Sequence, residues 1–191
     1  LTVFAAGCSR RPPRVHPPSI DAGSAGRDAM SQYDSDGDGK VSGAELDQAP
    51  SLKAALERLD TDGDGAVSAS EVAARVRAWQ ESKVGRMTAV ITVLAGGRPL
   101  EGATVTLDPE DFLGSNIQPA TGTTDASGMA MPSIEVEGDD PPGIAPGFYL
   151  VRITKDGMNI PPMYNTETVL GLELAQDVAE LDEGISFDLR W

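Results

Sequence analysis

Two stretches of this chain place carboxylates at a spacing that can surround a cation. Asp34, Asp36, Asp38 and Glu45 stand at positions 1, 3, 5 and 12 of a twelve-residue run, and Asp60, Asp62, Asp64 and Glu71 do the same in a second run. Gly39 and Gly65 occupy position 6, where the backbone must turn sharply and a residue without Cβ does so with least strain. Position 7 offers a backbone carbonyl, from Lys40 and Ala66, and position 9 a short hydroxyl, Ser42 and Ser68, acting through a water. The long Glu45 and Glu71 can reach back with both oxygens. A hard cation that takes about six to eight oxygens at about 2.3–2.6 Å fits such a set, and calcium fits better than magnesium, whose octahedral demand favours water. The expectation is two calcium ions, one per loop. Empty, each loop crowds four carboxylates, so bound metal should contribute to folding, about 2.7 kcal/mol per site at a hundredfold excess over Kd.

Other chemistry finds little support. The chain has one His and one Cys, and no Gly-x-Ser-x-Gly, His-Glu-x-x-His or phosphate-cradling loop. A histidine-assisted triad within it must use His16, which lies between Val15 and Pro17 in a Pro-rich segment. No enzyme activity is therefore expected. Acids outnumber bases 30 to 15, a formal net charge of -15. That field repels nucleic acid and invites cations, so calcium and not nucleic acid is the expected partner. From Arg86 onward there are 17 acids against 5 bases. Asp108, Glu110 and Asp111 form one acidic cluster there and Glu135, Glu137, Asp139 and Asp140 another, both read as solvated loops.

The loops need helices to hold them. Over residues 28–85 the composition turns helical and the two loops recur 26 residues apart. Ala44–Ala49 reads as a short exiting helix broken by Pro50, and Ser51 as the N-cap of an entering helix running to Leu59. Val72, Val76 and Trp79 fall on one face of a helix that ends near Lys83. Met30 and Tyr33 stand before the first loop at the offsets that Leu56 and Leu59 hold before the second. Over residues 86–191 the period becomes two: Ala89, Ile91 and Val93; Ala103, Val105 and Leu107; Tyr149, Val151 and Ile153; and a closing Ile185–Trp191 strand. Gly96-Gly97-Arg98-Pro99, Asp125-Ala126-Ser127-Gly128 and Pro146-Gly147 supply turns. The expected fold class is α+β in two domains, a small all-α pair followed by an antiparallel β-sandwich.

The loops resemble the EF-hand family at every diagnostic position. The resemblance implies paired loops bridged at position 8, where Val41 and Val67 stand. Their spacing looks more like the compact bacterial pairs than the calmodulin-like regulators. The short linking helix leaves little of the groove a sensor exposes, so the pair is expected to be structural. A dockerin-like assembly module is the alternative; dockerins generally lack the entering helix that Ser51–Leu59 suggests.

The second half resembles the carboxypeptidase regulatory-like, or transthyretin-like, β-sandwich. The resemblance rests on Arg98–Leu107, Gly122–Gly128, Pro146–Val151 and Ile160–Thr168, and it implies a noncatalytic binding or spacer domain. Ala5-Ala6-Gly7-Cys8 after an apolar run is similar to the end of a bacterial lipoprotein signal peptide, with Cys8 the lipidated residue and residues 1–8 a truncated signal. Residues 9–27, rich in Pro, Arg and Gly, read as a disordered tether. These resemblances imply a lipid-anchored protein of a bacterial cell envelope, periplasmic or on the outer surface, with a cell-surface protein or polysaccharide as further partner.

Overall fold

Helix α1 runs from Ala22 to Tyr33 because Asp21 caps it, its carboxylate accepting from the Ser24 backbone N–H at 2.7 Å. Ala22, Ala25 and Ala29 then give the helix a buried stripe. These details come from a computed structural model that describes residues 15–136 and 141–191. The tether expected over 9–27 is thereby corrected: its last six residues are helical, and Gly23 and Gly26 sit inside α1. Gly26 is there for proximity, since a Cβ at that position would lie 2.2 Å from the Ala69 carbonyl oxygen. Ile20 is buried, and its carbonyl accepts from the Gln80 amide at 2.7 Å.

After the first loop, α2 covers Gly43–Gln48. Pro50 does not merely break it. It occupies the first turn of α3 (Pro50–Ala54), where its missing N–H costs nothing, and α4 (Leu56–Leu59) follows after an interruption at Ala55. The single entering helix expected from Ser51 to Leu59 is thus two short pieces, and Ser51 is no cap. Its hydroxyl is fully buried and donates to Glu110. α5 spans Ala69–Ser82, buries Val72, Val76 and Trp79 as the spacing predicts, and stops where Lys83 turns left-handed at φ 58°.

The second half forms two sheets. The first orders β10 (Ile185–Leu189), β3 (Ile91–Ala95) and β4 (Arg98–Pro99), with β7 (Met129–Ala130) also on β3. The second orders β6 (Ala120–Thr123), β5 (Thr104–Pro109), β8 (Gly147–Thr154) and β9 (Gly171–Leu174). Both are antiparallel except at one pair: β10 runs parallel to β3, Ile185 beside Ile91 through Leu189 beside Ala95. The wholly antiparallel expectation is corrected there, because the chain leaves β9 through residues 175–184 and returns along the outer edge of the first strand. Ile91 and Val93 from one sheet and Val105, Leu107, Val151 and Ile153 from the other are fully buried in one apolar cluster.

That cluster does not stop at residue 85. It runs from Ile20 to Leu189, taking in Leu52, Leu59, Val76 and Trp79 of the helical part. Trp79 meets Phe148 of β8 edge-on, ring centroids 4.6 Å apart, and Tyr33 meets Phe112 at 6.4 Å. At Gly171 a Cβ would lie 2.1 Å from the Pro50 carbonyl, so α3 rests on the backbone of β9 itself. The two domains expected from the sequence share one core.

Candidate metal centre

Each loop is strung between a helix end and a helix start. Asp34 and Asp60 are the C-caps of α1 and α4, while Ser42 and Ser68 are the N-caps of α2 and α5. Glu45 and Glu71, three residues on, reach back to the N–H of Ser42 and Ser68 at 3.0 and 2.9 Å and complete capping boxes. Between the loops, β1 (Lys40–Val41) pairs antiparallel with β2 (Val67–Ser68), placing Val41 opposite Val67 as position 8 requires. Both valines are fully buried.

Inside the loops one hydrogen-bond scheme appears twice. Asp34 accepts from the N–H groups of Gly37, Asp38 and Gly39, at 2.7, 3.2 and 2.9 Å. Asp60 accepts from Gly63, Asp64 and Gly65 at 2.7, 3.0 and 2.8 Å. Gly39 and Gly65 hold φ of 91° and 79°, the left-handed turn that glycine adopts without strain. Asp36 and Asp38, like Asp62 and Asp64, each accept from the backbone two residues on. The second oxygen of each glutamate is held from position 2: Glu45 by the Ser35 N–H and hydroxyl, at 2.8 and 3.0 Å, and Glu71 by those of Thr61, at 2.9 and 3.1 Å.

This scheme gathers negative oxygens. Carboxylate oxygens of Asp34, Asp36 and Asp38 all lie within 4.8 Å of one another, as do those of Asp60, Asp62 and Glu71. The backbone N–H of Ser42, joined by those of Ser35 and Asp36, holds the Glu45 carboxyl below its ordinary value against slight desolvation. Partial burial pushes Glu71 upward, but the Ser68 and Thr61 N–H and hydroxyl groups outweigh it and leave that carboxyl lowered too. Both are ionised at neutral pH. All the side-chain donors are oxygens, and so is the backbone carbonyl at Lys40 and Ala66, which is the donor set of a hard cation rather than a soft one.

Two features of the site were not read from the sequence. Ser35 and Thr61 share position 2 and a hydroxyl, a repeat that the sequence itself carries. The Lys40 ammonium crosses to Asp64 of the other loop, and Asp64 stands outside the second oxygen cluster. The acidic cluster expected at Asp108, Glu110 and Asp111 is not uniformly solvated: Asp108 pairs with Arg152 at 2.5 Å, and Glu110 turns inward. Of the second cluster, Glu137, Asp139 and Asp140 lie outside the described residues, as do Cys8 and the rest of residues 1–14.

The EF hand family model matches this chain twice, over residues 27–48 and 52–74, which covers both loops and the parts of the helices next to them. The helical part is therefore an EF-hand region with calcium as its supported ligand, followed by a β-rich region. No curated protein and no solved structure matches the chain. Among the described residues no helix is long and apolar enough to cross a membrane.

Proposed function

We propose that the chain is a calcium-binding lipoprotein of a bacterial cell envelope. Two EF-hand sites, one per loop, stabilise a helical module that carries a noncatalytic, transthyretin-like β-sandwich for binding or spacing. The observation that carries the calcium reading is the duplicated scheme in which Asp34 and Asp60 each gather three backbone N–H groups and leave clustered carboxylate oxygens behind. The β-sandwich assignment rests on the order of the motifs at Arg98–Leu107, Gly122–Gly128 and Pro146–Val151. The anchoring role rests on Ala5-Ala6-Gly7-Cys8, and the partner proposed for the anchored protein is a cell-surface protein or polysaccharide.

Calorimetric titration with calcium, beside the double variant Asp34→Ala and Asp60→Ala, tests the binding. The parent is expected to show two sites and the variant none. Absence of heat from the parent at millimolar calcium ends this reading. Radiolabelled fatty acid incorporated in a bacterial host, and lost in Cys8→Ser, tests the anchor.

A further inference from the structure

Glu173 of β9 is fully buried, and three donors from the helical part converge on it. Arg58, two residues before the second loop, donates its Nε at 2.7 Å; Arg75, four residues after that loop, donates its Nε; and the Trp79 indole N–H donates at 3.0 Å. The helices entering and leaving one loop thus end on one carboxylate of the β-rich region. Both guanidiniums are held further, Arg75 by two bonds to Asp177 at 2.7 and 2.8 Å and Arg58 by Glu180 at 3.3 Å. Beside this junction Trp79 meets Phe148, and α3 lies on Gly171 too closely for any side chain there.

We propose that the second sheet is the built-in target of the EF-hand pair, and that calcium in the second loop and docking on Glu173 are thermodynamically coupled. The inference rests on the calcium reading above. EF-hand sensors answer calcium by changing the angle between entering and leaving helices and exposing an apolar groove to a partner. Here Arg58 and Arg75 fix the two helices to a common point, and Phe148 already covers Trp79. A carboxylate that favours one arrangement of the two helices favours the calcium geometry which that arrangement supports, and by reciprocity calcium tightens the junction.

The test uses the full chain with Trp191→Phe, which leaves Trp79 as the single tryptophan of the two. Calcium affinity is measured by calorimetry and Trp79 accessibility by acrylamide quenching, in that background and with Glu173→Gln added. Coupling predicts that Glu173→Gln weakens calcium at one site by about fivefold or more, and that Trp79 of the background protein is quenched more readily in chelator than in calcium. Calcium affinity unchanged in Glu173→Gln, with Trp79 exposed by the substitution, overturns the coupling while leaving calcium binding intact. No heat from the background protein ends both readings. Should Glu173→Gln fail to show a cooperative melt, Arg58→Lys carries the same test. It keeps Glu173 paired through Arg75 and Trp79, and a weakening of about twofold is expected; an unchanged affinity overturns the proposal.

Discussion

Lys40 stands at position 7 of the first loop, yet its ammonium lies on Asp64 of the second. The cation competes for a carboxylate that the proposed second calcium site draws on. Both partners are partly exposed, so the pair is worth about 0.2–1 kcal/mol. Lys40→Gln should therefore tighten calcium at the second loop by up to about fivefold, read by calorimetry; a weaker second site would contradict it. Glu110 poses a different problem. Burial holds its carboxyl above the ordinary value of 4.5, against the pull of hydrogen bonds from Ser51, Tyr33 and Gln32. Between that ordinary value and the raised one the folded chain binds more protons than the unfolded chain, so stability falls as pH rises through the window. Glu110→Gln cannot ionise and escapes the fall. Its melting temperature relative to the parent should rise as pH goes from about 4 toward neutrality at fixed calcium, and a difference that stays flat would refute the assignment. Three carboxylates of each loop, Asp34, Asp36 and Asp38 and then Asp60, Asp62 and Glu71, gather where their spacing puts them, while Glu45 and Asp64 stand outside those groups. Glu110 and Glu173 were not legible from spacing, because their partners lie 59 and 94 or more residues away in the chain.

At the scale of elements, α1 shows how composition misleads. Gly23 and Gly26 read as loosening a tether, whereas the Asp21 cap and the Ala22, Ala25 and Ala29 stripe make that stretch helical. Gly26 reflects the closeness of α5. Replacing Gly by Ala inside a helix gains about 1 kcal/mol of propensity, but overpacking a tight contact costs about 1–3 kcal/mol. With a Cβ at 2.2 Å from the Ala69 carbonyl, the contact should win. Gly26→Ala is expected to lose up to about 2 kcal/mol by denaturant titration, and a stabilised variant would show that the helices separate freely. The strands were legible from their period of two, and Ala103, Val105 and Leu107 face inward as that pattern requires. The parallel pairing of β10 with β3 was not, since an alternating strand carries no sign of its neighbour's direction. Likewise Ser51 has the chemistry of a cap, and only its tertiary partner shows that it serves Glu110 instead.

For the whole molecule, the continuous core means that the two halves should not melt separately. With calcium bound, helix signal and near-ultraviolet signal are expected to fall in one transition. Chelation should lower its midpoint, since each filled site contributes about 2.7 kcal/mol at a hundredfold excess of calcium. Two resolved transitions in calcium would show that the shared core in Trp79, Phe148 and Leu52 holds the halves only weakly. The sequence did mark two compositional regions, and both exist; that they fuse depends on side chains whose apolar character says they are buried but not against what. The two-residue ladder of Lys40–Val41 against Val67–Ser68 carries one more consequence. Because both loops lean on the same pair of strands, ordering either loop should set the backbone of the other before its ion arrives. On the proposed two-site reading the second ion should bind more readily than the first, and the Hill coefficient of the calcium isotherm should exceed 1. The population should then pass from bare to doubly loaded over a narrow span of calcium concentration, with few singly loaded molecules between.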